Sequence, residues 1–237
     1  MDLKDRICVV TGATEGIGKA IASALAGKGA KLAICSRTPS KVERTVAELS
    51  KNGVTVVGRA CNVADPDQVR EFAAFVRARL GPAEVLVNNA GIGHFADVEE
   101  MSLEQFDEIF AVNVRGIFLM TKAFLGDMKR MGRGDIVNIA SLAGRNAVAG
   151  GAAYAASKHA VLGFSKSLML EVRKYNIRVI AICPGTVVTP FFGRGPGRIE
   201  RPERKLMPED VAHAVIAALE VADRAMISEL DIRPTNP

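Results

Sequence analysis

The chain has 237 residues, 49% of them hydrophobic and 24% charged, and a formal charge of +5, which is a globular composition rather than a disordered or fibrous one. Its basic residues are scattered, and the densest stretch, MKRMGRGD (128–135), reads as a helix end followed by a glycine turn, so no stripe for nucleic acid or anionic lipid is expected. Cys8, Cys35, Cys61 and Cys183 form no CxxC pair and imply neither a disulfide framework nor a metal site; with no apolar leader and no run of 18 apolar residues, the expectation is a cytoplasmic protein that spans no membrane.

Strand-like and helix-like segments alternate along the whole chain. RICVVTG (6–12) is an apolar run ending in glycine and predicts a buried strand, followed by a helix over 16–28. KLAICS (31–36) predicts a second strand, and PSKVERTVAELSKNG (39–53) a helix opened by Pro-Ser and closed by Asn-Gly. VTVVGRA (54–60) is the third strand, DPDQVREFAAFVRARLG (65–81) an Asp-capped helix, and EVLVNNAG (84–91) the fourth strand. Two helices are expected at 102–112 and 114–131, then a strand at 134–141, a long helix at 151–174 and a strand at 177–185. A helix at 208–221 and a last strand at 225–232 complete the chain. Strands that are continuous apolar runs are buried on both faces, so the expected fold is α/β: a Rossmann-type, doubly wound, mostly parallel seven-stranded sheet with helices on both faces, in one domain spanning 1–237. The Gly-, Pro- and Arg-rich segment 191–207 is expected to be a mobile loop beside the substrate.

TGATEGIGKA (11–20) joins the first strand to the first helix. Glycines here allow a tight turn, let backbone approach a phosphate and let the helix pack on the strand, while the helix N-terminus favours an anion. A dinucleotide is therefore the expected ligand, and the absence of Gly-Lys-Ser/Thr argues against a P-loop. At the end of the second strand, where an acidic residue would bind an unmodified ribose, the chain reads CSRTP (35–39). Ser36 and Thr38 offer hydroxyls and Arg37 a charged fork suited to phosphate, which predicts NADP(H), with NAD(H) as the alternative.

Tyr154 is one of two tyrosines, and Lys158 lies one helical turn beyond it on the same face. For the phenol to work as an acid–base near neutral pH, its pKa must fall from 10 by about 3, roughly 4 kcal/mol. One positive charge about 4 Å away, at an effective dielectric near 20, supplies energy of that order. Ser141, NNAG (88–91) and PGTVVT (184–189) all fall at the carboxyl ends of strands, where open α/β sheets bind ligands.

Over essentially its whole length the chain resembles the short-chain dehydrogenase/reductase (SDR) family, on the motifs TGATEGIG (11–18), NNAG (88–91), NVRG (113–116), Ser141, YAASK (154–158) and PGTVVT (184–189), which occur in family order. The resemblance implies hydride transfer between a nicotinamide cofactor and a small carbonyl or alcohol, with Tyr154 as acid–base and Ser141 on the substrate oxygen. Lys158 would lower the Tyr154 pKa and bind the ribose, and Asn113 would position a relay water. It places Gly12, Thr14, Glu15, Gly16, Ile17 and Gly18 at the pyrophosphate turn, Ser36 and Arg37 at the adenosine ribose, Asn62 and Val63 at the adenine, Asn89, Ala90 and Gly91 under the ribose, and Pro184, Gly185, Val187 and Thr189 at the nicotinamide. Two departures stand out: Glu15 replaces the basic residue of many NADP-preferring members, and the tail AMISELDIRPTNP lacks the family's Gly-rich VDGG ending.

On the substrate side, His94 is expected to be satisfied or solvent-facing, whereas Arg145, Asn146, Phe191 and Phe192 are candidate lining residues. Arg194, Arg198, Arg201 and Arg204 could attract an anion or form a solvated face. The family's habit of assembly implies a homo-oligomer, dimer or tetramer, through the helix before the fifth strand and the Tyr154 helix. A non-catalytic dinucleotide-sensing module is the reading from another class, and the set Asn113, Ser141, Tyr154 and Lys158 argues against it.

Overall fold

The computed structural model describes residues 2–192 and 201–236. Seven strands, β1 (Ile7–Thr11), β2 (Lys31–Ser36), β3 (Val56–Ala60), β4 (Val85–Asn88), β5 (Gly134–Ile139), β6 (Ile177–Pro184) and β7 (Glu229–Ile232), pair in parallel in the order β3-β2-β1-β4-β5-β6-β7. The helices are α1 (Gly16–Gly27), α2 (Pro39–Leu49), α3 (Pro66–Arg79), α4 (Leu103–Phe110), α5 (Gly116–Met131), α6 (Ala152–Val172) and α7 (Pro208–Glu220). The chain runs outward from β1 to β3 and then resumes on the other side of β1 with β4. That change of direction opens a crevice at the carboxyl ends of the strands.

Two aliphatic layers sandwich the sheet. Alternation along β1 sends Cys8 and Val10 into the layer containing Ile21, Leu25, Val211 and Val215, from α1 and α7. It sends Val9 into the layer containing Phe72, Val76, Phe124 and Leu168, from α3, α5 and α6. All four cysteines are buried and free, small hydrophobes as expected. At the amino edge of the sheet the buried Asp135 carboxylate accepts from Arg6 (2.9 Å) and Arg178 (2.5 Å), an ion cluster that closes the edge opposite the crevice.

Local chemistry explains the helix limits. The Asp65 side chain accepts from the N–H groups of Asp67 and Gln68, capping α3. Ser102 and Gln105 form a reciprocal capping box at α4, and Gly132, with φ of 64°, ends α5 in a left-handed turn.

Several boundaries differ from the sequence expectation. The strands expected at 84–91 and 134–141 end at Asn88 and Ile139, because the residues beyond leave the sheet to line the crevice. The helix expected over 39–53 ends in a short 3-10 turn, Ser50–Asn52, and the last strand shrinks to Glu229–Ile232. The helices expected at 102–112 and 114–131 form one rod, joined by a π turn, Ala111–Arg115. This rod, Leu103–Met131, is long and apolar enough to cross a membrane by length and composition alone, yet it lays Met120, Phe124 and Met128 into the core. Residues 193–200, including Arg194 and Arg198, lie outside the described residues.

Candidate functional site

A cleft of about 690 Å3 lies along the carboxyl edge of the sheet. Every residue singled out from the sequence for the cofactor reaches it, as do Ser141 and Tyr154. Asn113 lies behind its wall, fully buried.

The glycine turn is built by close approach. Gly12 has φ of 63°, and a Cβ there would sit 2.9 Å from Ala90 Cα. A Cβ at Gly18 would fall 2.3 Å from both Gly12 O and Asn89 Nδ2. Asn89 Nδ2 donates to Thr11 O (2.9 Å) and Gly12 O (3.2 Å), while Thr11 Oγ1 accepts from Asn89 and Ala90 N–H (3.0 Å each). Thr11, unnoticed in the sequence because it ends an apolar run, thus ties the turn to the β4 exit. The N-terminus of α1 has no side-chain cap, and Ser36 Oγ, in the cleft wall, is buried without a hydrogen-bond partner. An uncapped helix start facing a glycine cradle, with an orphan hydroxyl beside it, fits a dinucleotide.

The end of the cleft beside β2 carries two ion pairs. Arg37 approaches Glu108 at 3.5 Å, and Lys41 pairs with Glu15 at 2.8 Å. Lys41 reaches the cleft and was missed in the sequence, since nothing in the pattern brings the first turn of α2 to a residue 26 positions away. The Glu15 carboxylate, unusual for an NADP site, is thereby neutralised in place. Beyond β3, the Asn62 side chain accepts from Ala64 N–H (3.1 Å).

Tyr154 and Lys158 lie on the buried face of α6. Lys158 Nζ donates to Ile139 O (2.9 Å) and lies 5.7 Å from the Tyr154 ring centroid. Burial holds the Lys158 pKa down to about 8, opposed by Cys183. Burial also raises the Tyr154 pKa above 10, with the Ser141 hydroxyl opposing it. In the free protein burial outweighs the Ser141 hydrogen bond, so the phenol lies above its ordinary value and Tyr154 holds its proton. Asn113 Nδ2 donates to Ile92 O (2.9 Å) and Ser157 Oγ (3.0 Å), and its Oδ1 accepts from Ile92 N–H (2.9 Å). Ser157, a third residue missed in the sequence, donates onward to Tyr154 O (2.7 Å), so Asn113 braces both the β4 exit and α6.

Around the mouth, His94 pairs with Glu108 (2.9 Å) and Arg145 with Glu229 and Asp231 (2.6 Å each); neither lines the cleft, whereas Asn146 and Phe191 do.

A family model described as short chain dehydrogenase matches residues 6–195. A protein of Streptomyces violaceoruber named as granaticin polyketide synthase ketoacyl reductase 1 is 43% identical over 190 residues, 79% of this chain and 70% of that protein. Among solved structures, an actinorhodin polyketide ketoreductase variant with NADPH superposes with a TM-score of 0.91 at 33% identity, covering 97% of this chain and 96% of the other. An alcohol dehydrogenase from the archaeon Thermococcus sibiricus, complexed with 5-hydroxy-NADP, gives 0.90 at 33% identity, covering 98% and 97%.

Proposed function

This chain belongs to the short-chain dehydrogenase/reductase family, and on that premise we propose that it is an NADP(H)-dependent oxidoreductase interconverting a carbonyl and an alcohol. The NADP-type ligands of the solved neighbours support the cofactor, and the observation carrying the reaction is the convergence of Tyr154, Ser141 and Lys158 beside a glycine turn in one cleft. When bound, the cofactor supplies or accepts the hydride.

The protein positions and moves the proton. The Tyr154 phenol donates to the substrate carbonyl oxygen during reduction, and its raised pKa keeps it in the acid form that this step consumes. The Ser141 hydroxyl holds the same oxygen as negative charge develops on it. Lys158 binds the ribose hydroxyls and, in its charged form, stabilises the phenolate left behind. Asn113 fixes the wall beside Lys158, where a water can return a proton from solvent. Gly12, Thr14, Gly16, Ile17 and Gly18 cradle the pyrophosphate; Ser36, Arg37 and Lys41 read the 2′-phosphate; Asn62 and Val63 flank the adenine. Asn89, Ala90 and Gly91 floor the ribose, and Pro184, Gly185, Val187 and Thr189 hold the carboxamide. Glu15 becomes the counter-ion that Lys41 leaves when the phosphate arrives.

Assembly as a dimer or tetramer in the cytoplasm completes the reading. Phe118 on α5 and Leu170 on α6 are exposed apolar residues on the elements expected to associate, and Leu103 and Phe106 on the adjoining α4 are exposed as well.

Tyr154→Phe tests the mechanism. NADPH should still raise the melting temperature while carbonyl reduction falls about 10²–10⁴-fold. Turnover that persists in this variant would refute the role of Tyr154.

A further inference from the structure

The substrate side of the cleft is built from rings. Tyr154 lies between Phe95, at 5.4 Å between centroids and a tilt of 52°, and Phe191, at 5.8 Å and 55°. The two phenyl rings converge over Gly93, where a Cβ would meet Phe95 Cε2 at 2.9 Å and Phe191 Cζ at 3.0 Å. Ile92, Leu142 and Val148 extend the same wall, and Asn146 adds one neutral amide. Phe95 is 41% exposed, a large apolar surface beside an almost fully buried Tyr154.

Lys158 stands behind the Tyr154 ring. His94 and Arg145 are held in ion pairs outside the cleft. Lys205 and Arg233 reach the cleft from the β6–β7 side, where Leu206 N–H donates to Thr186 O and Arg233 pairs with Asp231. Arg37 and Lys41 stand at the adenosine end. A carboxylate or a polyol chain against Phe95 would lose water, and among the described residues of this wall only the Asn146 amide is polar besides the Tyr154 phenol.

We propose that the substrate is a flat, uncharged aryl carbonyl compound whose ring lies against Phe95 and Phe191 while its carbonyl oxygen meets Tyr154 and Ser141. A ring packed edge-on or offset against two phenyl groups gains both burial and quadrupole complementarity, and the carbonyl attached to it is carried to the phenol at the junction. This inference rests on the proposed reductase reading and adds the substrate class.

The test compares acetophenone, 2-octanone and acetoacetate as substrates of the NADPH-loaded protein, in the wild type and in Phe95→Leu. A parallel thermal-shift series adds 1-phenylethanol or 2-octanol to the NADP+-loaded protein. Acetophenone should exceed 2-octanone in kcat/KM by roughly tenfold, the scale of a favourable aromatic contact. Phe95→Leu should cut that ratio severalfold with NADPH affinity unchanged, and 1-phenylethanol should give the larger shift. A preference for acetoacetate or 2-octanone, or a ratio indifferent to Phe95→Leu, overturns the aromatic wall and leaves the reductase reading standing. Loss of turnover on all three ketones, with equal shifts from the two alcohols, overturns it as well. Failure of NADPH to bind removes the reductase reading itself, and this inference with it.

Discussion

Lys158 is kept buried at a cost to the fold, and replacing it by methionine should show how large that cost is. Burial moves its pKa from the ordinary 10.5 to about 8, so holding it protonated at pH 6.5 opposes folding by roughly 3 kcal/mol, at about 1.4 kcal/mol per tenfold change. Methionine fills the same unbranched space but forfeits the hydrogen bond to Ile139 O, about 1 kcal/mol. Lys158→Met should therefore be about 2 kcal/mol more stable than the wild type at pH 6.5, a rise in melting temperature of roughly 4–8 °C for a chain of this size. Between about 8 and 10.5 the unfolded chain holds a proton on Lys158 that the folded chain has released, so wild-type stability rises with pH across that window. The methionine variant lacks this contribution, and the gap between the two proteins should narrow as pH climbs from 8 towards 10.5. Urea or thermal melts of both proteins at several pH values isolate the single group by difference. A variant less stable than the wild type at pH 6.5, or a gap that ignores pH, would refute the reasoning. Its carbonyl reduction should be lost at every pH.

Four other substitutions probe separate parts of the molecule. Arg37→Asp should reverse the preference between NADPH and NADH, and Lys41→Ala should weaken NADPH severalfold while sparing NADH, both read by titration at fixed salt; equal losses for the two cofactors would remove these cations from the phosphate site. Gly18→Ala places a methyl 2.3 Å from Gly12 O and should lower stability by about 1–3 kcal/mol together with NADPH affinity; a variant that melts and binds like the wild type would show the turn to be yielding. Sedimentation should find a species heavier than 25.2 kDa, and Phe118→Arg should shift it towards the single chain.

The sequence made the helix limits readable where a residue carries its own geometry: Asp65 caps α3, Gly132 stops α5, and Gly12 announces the turn by the conformation it alone accepts easily. It overextended β4 and β5, because 89–91 and 140–141 look like strand and only the end of the strand register at Asn88 and Ile139 shows that they line the cleft. The four-residue spacing placed Tyr154 and Lys158 on one face, but burial depth, which sets both pKa directions, is a tertiary quantity. Lys41 opposite Glu15, and Ser157 beneath Asn113, are pairings across elements whose distance no periodicity encodes.

The π turn at Ala111–Arg115 holds one residue more than a regular helix needs over the same rise. Deleting a single residue there should restore regular helical hydrogen bonding along the rod. Yet it would swing Asn113 about 100° around the helix axis, off Ile92 and Ser157 together. The surplus residue is thus a marker that survives in length rather than in composition: descendants of this chain that keep the fold but lose the count at this point should have abandoned the reaction as well.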